Sequence, residues 1–130
     1  MKQIEIKAAI ENLIDTFLYA GKVSIELRKK GLIKEIKEDN TPVSNGDLEV
    51  NRILTEKINN LTPQIPIVSE ETSHNKSKKD LKNFWLIDPI DGTYDYINDL
   101  DEFTLNAGLI INNRAVAGII YAPAKNRLFY

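Results

Sequence analysis

The composition of the 130-residue chain is that of one globular domain, with 42% hydrophobic and 28% charged residues. Its formal net charge of −2 provides no general attraction for nucleic acid polymers or anionic membranes, and the absence of cysteine excludes disulfides and thiolate metal sites. Because the sequence has neither a signal-peptide pattern nor the roughly 18 consecutive apolar residues of a transmembrane segment, we expect a cytoplasmic protein.

Two amphipathic helices are predicted in the first half of the chain. Apolar residues recur at helical spacing from about residue 3 to 29, and Gly31 follows three basic residues as a helix-end signal. Residues 39–47 form a polar connection in which Ser44 and Asp47 have the spacing of a capping box, so Asp47 taken alone is a capping carboxylate. The second helix has an apolar stripe made of Leu48, Ile53, Leu54, Ile58 and Leu61.

Acidic residues directly follow the next apolar segment. Residues 65–68 predict a short buried strand, which leads into Ser69, Glu70 and Glu71. Adjacent glutamates are usually a solvated surface pair, but a position just past a strand also favours a site. Residues 73–80 then predict a polar loop that contains the only histidine, His74, which we expect to be a surface side chain.

Residues 84–96 are the most informative segment of the sequence, and a pair of carboxylates lies at its centre. The apolar strand ends at Asp88, and Pro89 predicts a bend because proline cannot donate to a central strand. In a straight strand Asp88 and Asp91 would point to opposite faces, whereas a turn can bring them together. Gly92 and Thr93 then offer a flexible backbone and a hydroxyl for a phosphate.

Three strands are predicted after this stretch, at residues 103–111, 115–121 and 127–130, with turn signals between them. The last of these is apolar where the printed sequence stops. An exposed hydrophobic strand edge invites association, so we expect the fold to continue and the edge to be a possible site of association.

Five carboxylates at the ends of predicted elements suggest a metal site. Bringing these negative charges together without counter-ions would cost free energy, so their convergence implies bound divalent cations. The lack of cysteine and the setting of His74 favour Mg²⁺ or Mn²⁺ over zinc. Paired metals can activate a water and stabilise the attacking and leaving oxygens of a phosphoryl displacement. The five are Asp47, Glu70, Glu71, Asp88 and Asp91.

The segment Asp-Pro-Ile-Asp-Gly-Thr at residues 88–93, after Phe-Trp-Leu-Ile, resembles the signature of the inositol monophosphatase superfamily of Mg²⁺-dependent, lithium-sensitive phosphatases. Ser-Glu-Glu at 69–71 and Thr-Pro-Val-Ser-Asn-Gly-Asp at 41–47 resemble its two upstream motifs in order and spacing. The segments at 37–42 and 102–106 are most similar to bacterial CysQ-type 3′(2′),5′-bisphosphate nucleotidases, which remove the 3′-phosphate of adenosine 3′,5′-bisphosphate.

This resemblance implies a role for each matching position. Glu70, Asp88 and the Ile90 carbonyl would bind a first Mg²⁺, and Asp88 with Asp91 a second. Glu71 would support a third ion or its water shell. The phosphate would be held by Gly92 and Thr93, and Thr93 together with Asp47 would position the attacking water. Two or three ions are therefore implied, with Mn²⁺ as an alternative metal.

The resemblance also implies an α+β fold, in which two helices pack on one face of a mainly antiparallel sheet, as in the N-terminal half of the layered sugar-phosphatase fold. Residues 1–130 would form the N-terminal metal-binding domain, with the C-terminal domain absent. The leading hypothesis is a Mg²⁺-dependent 3′(2′),5′-bisphosphate nucleotidase. The alternatives are an inositol monophosphatase acting on inositol phosphate, and a truncated, inactive remnant that lacks a metal ligand and one wall of the substrate pocket.

Overall fold

The computed structural model describes residues 1–71 and 81–130, so the predicted polar loop with His74 lies outside the described residues. Within those ranges no helix is both long and apolar enough to span a bilayer. The helices are α1 (Gln3–Lys30), α2 (Asn45–Leu61) and α3 (Thr93–Ile97), and a 3-10 turn covers Pro123–Lys125. The strands are β1 (Lys34–Ile36), β2 (Pro42–Ser44), β3 (Ile67–Ser69), β4 (Phe84–Asp91), β5 (Thr104–Ile111), β6 (Arg114–Ala122) and β7 (Arg127–Phe129).

The strands form two sheets. β1 and β2 make a small antiparallel pair, and the other five form a sheet in the order β3-β4-β5-β6-β7. Among the residues that the structure describes, the pairing of β3 with β4 in this larger sheet is parallel and the other three pairings are antiparallel. The predicted α+β fold with a mainly antiparallel sheet is therefore confirmed. β7 lies at one edge of the sheet, and association through that edge stays a prediction.

One hydrophobic core joins the two long helices to one face of the sheet. α1 and α2 pack against each other, α1 contacts β6 and α2 contacts β4. Alternate residues of β5 are buried, as expected for a strand with one covered face. The fully buried side chains at this interface include Leu13, Phe17, Val50, Leu54, Trp85, Ile87, Leu105, Leu109 and Ile119.

Two local predictions for the first half of the chain were wrong. The segment 39–47 is not entirely a connection, because its residues Pro42–Ser44 pair with β1 as strand β2. Leu48 is 48% exposed and Val50 is buried in its place. Capping signals and short strands overlap in sequence here, since Ser44 ends β2 and also caps α2.

The prediction that the apolar strand ends at Asp88 was also wrong, because β4 continues to Asp91. Its pairing with β5 is irregular, however: Asp88 pairs with Asn106 and Asp91 with Thr104, so three steps on β4 match two on β5. This extra residue is a β-bulge in the segment between Asp88 and Asp91, which includes Pro89, a residue with no N–H to donate to the ladder. The predicted disturbance at Pro89 is present, but as a bulge within the strand.

A first prediction concerns Trp85, which is fully buried and donates through Nε1 to the Thr62 hydroxyl at 3.0 Å. The Trp85→Phe variant loses buried volume and leaves that hydroxyl oxygen without this donor. We expect the free energy of unfolding to fall by about 1–3 kcal/mol, measured by urea titration with far-UV circular dichroism. The exposed Tyr94→Phe variant is the control and should change by less than about 0.5 kcal/mol. Equal midpoints for both variants would contradict the packing role of Trp85.

Candidate metal and phosphate site

The parallel pairing of β3 and β4 brings two acidic segments to one edge of the sheet. Ser69 lies opposite Ile87, and the Glu70 N–H donates to the Ile87 carbonyl at 3.1 Å. Glu70 therefore lies beside Asp88, the next residue of β4. Glu70 is exposed and Asp88 is partly buried, so one carboxylate reaches solvent while the other has lost part of its hydration.

The bulge in β4 places Asp88 and Asp91 on the same face of the sheet. Their partners on β5, Asn106 and Thr104, are two residues apart and therefore share a face. Residues that pair directly across two strands also share a face. The sequence suggested that a turn would be needed to bring the two carboxylates together. The extra residue of the bulge has this effect within the strand.

Asp47 is fully buried at the start of α2, where both carboxylate oxygens are occupied. Oδ2 accepts from the Ser44 N–H at 2.9 Å and from the Ser44 hydroxyl at 2.6 Å, which confirms the predicted capping box. Oδ1 accepts from the Thr93 hydroxyl at 2.9 Å, although Thr93 lies 46 residues further along the chain. Capping alone does not account for this second contact.

Thr93 is the first residue of α3 and follows Gly92, which separates α3 from the end of β4. Its hydroxyl lies 2.9 Å from Asp47 Oδ1 and 3.1 Å from the Ile90 carbonyl oxygen. Because a hydroxyl carries one proton, it donates to only one of these oxygens at a time. The residue before it, Gly92, has a φ of +88°, and a Cβ there would lie 2.5 Å from the Glu102 carbonyl oxygen. Glycine is therefore required at this position on both counts.

The five predicted carboxylates share one electrostatic field. Partial burial and, in decreasing order, the charges of Asp91, Glu70, Glu71 and Asp47 raise the pKa of Asp88 to about 6. Nevertheless, in residues 1–71 and 81–130 no three acidic or histidine side chains stand close enough to hold a metal ion as they are placed. Charge repulsion acts over several ångströms whereas ligand bonds are near 2 Å, so the two observations are compatible. The acids are gathered but not arranged at ligating distances.

Glu71 has a basic partner that the sequence analysis did not identify. Its carboxylate is almost buried, with 7% of the side chain exposed, and Lys37 Nζ lies 3.4 and 3.5 Å from its two oxygens. Burial raises the pKa of Glu71, with Lys37 opposing the shift and Asp47 adding to it. Nothing in the spacing of Lys37, which lies just after β1, indicates this contact, because the two residues are 34 positions apart.

Polar residues on the neighbouring elements hold the backbone of the site. The Ser69 hydroxyl donates to Asn51 Oδ1 on α2 and accepts from the Glu71 N–H at 3.3 Å. On β5, Asn106 donates through Nδ2 to the Asp88 carbonyl at 3.4 Å. An asparagine in a strand that is apolar from Ala107 to Ile111 was the available signal for Asn106. These bonds tie the two acidic segments to α2 and β5.

Comparison with known proteins identifies the family. Residues 6–130 match the inositol monophosphatase family. A 3′(2′),5′-bisphosphate nucleotidase CysQ from Haemophilus influenzae is 41% identical over 113 residues, which cover 85% of this chain and 42% of the relative. The chain therefore spans less than half the length of this relative, and the same holds for two solved structures that it resembles.

The structural matches agree with this. The extragenic suppressor protein SuhB from Bartonella henselae is 25% identical with a TM-score of 0.78, covering 94% of this chain and 47% of that one. An inositol monophosphatase from Anabaena is 28% identical with a TM-score of 0.68, covering 88% of this chain and 38% of that one. The fold implied by the motif resemblance is therefore confirmed, and the chain belongs to the inositol monophosphatase family.

Proposed function

We propose that this chain carries the metal- and phosphate-binding residues of a Mg²⁺-dependent phosphomonoesterase of the 3′(2′),5′-bisphosphate nucleotidase kind. The observation that carries the proposal is the 2.9 Å contact between the Thr93 hydroxyl and the buried Asp47 carboxylate, next to the strand ends that bear Glu70 and Asp88. The nucleotidase in particular is supported by the 41% identity to a CysQ protein. The substrate would be adenosine 3′,5′-bisphosphate.

The donor set fits a hard divalent cation. Carboxylate and carbonyl oxygens are the ligands that Mg²⁺ prefers. The pKa of Asp88 is raised first by its partial burial and then by the neighbouring carboxylates, and a bound cation would offset the second contribution. Glu70, Asp88 and the Ile90 carbonyl would hold one ion, and Asp88 with Asp91 a second. Glu71 would support a third ion or its water shell, with Mn²⁺ as an alternative metal.

The chain's own residues would orient the reactants. When bound, the metal ions would lower the pKa of a water and neutralise charge on the phosphate. The two bonds from Ser44 fix the Asp47 carboxylate, so Oδ1 stays directed at Thr93. With its proton on Oδ1, the Thr93 oxygen can accept from a water, and the Ile90 carbonyl is left free for coordination. Gly92 and Thr93 would hold the phosphate oxygens.

An inositol monophosphatase is the second candidate function, favoured by the 28% identity to the Anabaena enzyme. The two activities share the metal and phosphate residues, so they differ in what the rest of the pocket recognises. A direct comparison of substrates separates them. The third hypothesis, an inactive remnant, is separated from both by the absence of any Mg²⁺-dependent phosphate release.

The second prediction concerns turnover. Phosphate release from adenosine 3′,5′-bisphosphate in the presence of Mg²⁺ should exceed release from inositol monophosphate. Asp88→Asn and Thr93→Val should each reduce it by about 100-fold or more, because one loses a charged metal ligand and the other the hydroxyl. Thr93→Ser keeps the hydroxyl and should retain most activity. The matched surface control is Glu49→Gln, since Glu49 pairs with Arg52 on the exposed side of α2.

The outcomes of this assay are distinct. A higher rate with inositol monophosphate would favour the second candidate. Release that is equal in wild type and Asp88→Asn would remove the metal role of Asp88. No release from either substrate would support the inactive remnant.

The third prediction concerns stability and pH. The pKa of Asp88 is raised from 3.8 to about 6. The protonated carboxyl is therefore favoured in the folded state, and its contribution to the free energy of unfolding is fully present below the unfolded pKa of 3.8 and is lost as the pH rises through about 6. In the presence of a chelator at neutral pH, Asp88→Asn should therefore raise the free energy of unfolding by on the order of 1 kcal/mol, after discounting for partial exposure. Below about pH 4 the two proteins should converge.

Mg²⁺ should reverse this order, because the cation stabilises the folded wild type more than the variant that lacks the charge. Urea titrations at both pH values, with and without Mg²⁺, provide the measurement. If Asp88→Asn were less stable than wild type in chelator at neutral pH, the ionised Asp88 carboxylate would not destabilise the fold as its raised pKa requires.

A further inference from the structure

Arg28, in the last turn of α1, is a nearly buried cation whose three guanidinium nitrogens each contact the loop of residues 99–101. Only 11% of its side chain is exposed. Nη1 donates to the Leu100 carbonyl at 2.6 Å, Nη2 lies 3.2 Å from Asp101 Oδ1, and Nε lies 3.3 Å from Asp99 Oδ1. Basic residues in a last helical turn usually interact with the helix's own carboxyl end. Arg28 instead contacts residues more than 70 positions away.

The same guanidinium packs on two aromatic rings. Its carbon lies 5.0 Å from the centroid of the Phe103 ring and 5.7 Å from that of Tyr96, and the two rings are 4.9 Å apart. Tyr96 also donates from its hydroxyl to the Ser24 carbonyl at 2.7 Å. Since Ser24 lies one turn before Arg28 on the same face of α1, α3 and the loop after it are attached to α1 at two successive turns.

The loop that Arg28 contacts, residues 99–103, also packs closely against Gly92. A Cβ on Gly92 would lie 2.5 Å from the Glu102 carbonyl oxygen and 3.3 Å from Phe103 Cα. Glu102 lies between Asp101 and Phe103, and Arg28 contacts both of these residues. The position of this loop therefore limits where Gly92 can lie, and with it the next residue, whose hydroxyl donates to Asp47.

We propose that Arg28 is a positioning residue for the turn formed by Gly92 and Thr93. It acts through residues 99–103 and touches none of the proposed metal ligands. Its removal lets the loop move away from Gly92, and the hydrogen bond from Thr93 to Asp47 then loses its fixed geometry. The inference rests on the proposed function only for what the turn binds. The mechanical link, by which Arg28 positions the turn through residues 99–103, rests on the contacts of Arg28 with that loop and of the loop with Gly92.

Native-state hydrogen exchange by NMR tests the mechanical link. The amides to follow are Tyr96, which donates to the Gly92 carbonyl at 2.9 Å, and Leu100, which donates to the Asp95 carbonyl at 2.8 Å. Arg28→Met keeps an unbranched apolar stem but removes every donor and the guanidinium contact with the rings, whereas Arg28→Lys keeps the charge. Lys29→Met removes a neighbouring exposed charge and is the matched control. Ile58→Val, in the core of α2, supplies a purely global loss of stability.

We expect exchange at Tyr96 and Leu100 to be at least about tenfold faster in Arg28→Met than in Ile58→Val, once both are compared at equal global stability. Arg28→Lys should lie between wild type and Arg28→Met, and Lys29→Met should match wild type. Exchange at both amides that follows global stability alone, in every variant, would overturn the proposal.

A binding titration connects the turn to its proposed ligand. Inorganic phosphate is added in the presence of Mg²⁺, and the amide signals of Gly92 and Thr93 are followed. Arg28→Met should weaken phosphate binding by about tenfold, because the turn is no longer held in place. Affinity for Mg²⁺ alone should fall by clearly less than affinity for phosphate, since the carboxylates of Glu70 and Asp88 lie outside the loop.

An equal loss of phosphate and Mg²⁺ affinity would show that Arg28 acts on the whole site and would overturn the positioning role. If wild type binds neither ligand, the proposed function fails, and the exchange rates at Tyr96 and Leu100 still decide the role of Arg28.

Discussion

The parallel pairing of β3 with β4 is the constraint on which the site depends. Strands that run in the same direction end at the same edge, so the acids that follow β3 and those within β4 are brought together by main-chain hydrogen bonds. The core formed by α1, α2 and the sheet fixes that pairing from one side. The carboxylates remain close although their mutual repulsion adds to burial in raising the pKa of Asp88, because the backbone and not the side chains determines where they lie.

Asp47 shows how one buried carboxylate can serve local and distant structure together. Its Oδ2 completes the amino-terminal cap of α2, and its Oδ1 meets a hydroxyl from the segment after β4. A buried carboxylate whose two oxygens both accept hydrogen bonds is held more rigidly than a solvated one. Rigidity of this kind suits a group that must orient a reactant, and the cap is the means by which the fold provides it.

The sequence predicted features set by local spacing and missed those set by distant contacts. The periodic apolar residues of α1 and, apart from Leu48, of α2 and the capping box at Ser44 are local, and the structure contains them. The partnership of Lys37 with Glu71 joins two loops, and that of Arg28 with residues 99–101 joins a helix to a loop. No spacing rule links such positions, because the fold alone determines which distant side chains meet.

The motif around Asp88 lies between these cases. Its residue types indicated a carboxylate pair beside a phosphate-binding turn, and Pro89 indicated an irregular backbone, but the sequence could not distinguish a turn from a bulge. That depends on whether β5 continues to pair with β4 beyond Asp88, which it does at Thr104. Tertiary pairing therefore decided the conformation of the most informative stretch in the chain.

The bulge between Asp88 and Asp91 also makes the spacing of the two aspartates a matter of parity. With the extra residue, three steps along β4 return a side chain to the face from which it started, which a regular pleat never does. Deleting a single residue between Asp88 and Asp91 would bring them within two steps, and a regular strand could then place both on one face without any irregularity. An insertion or deletion of one residue between Asp88 and Asp91 would therefore keep both carboxylates on one face only if the pairing with β5 switched between a bulged and a regular form. The length of this segment is in this way linked to the geometry of β5.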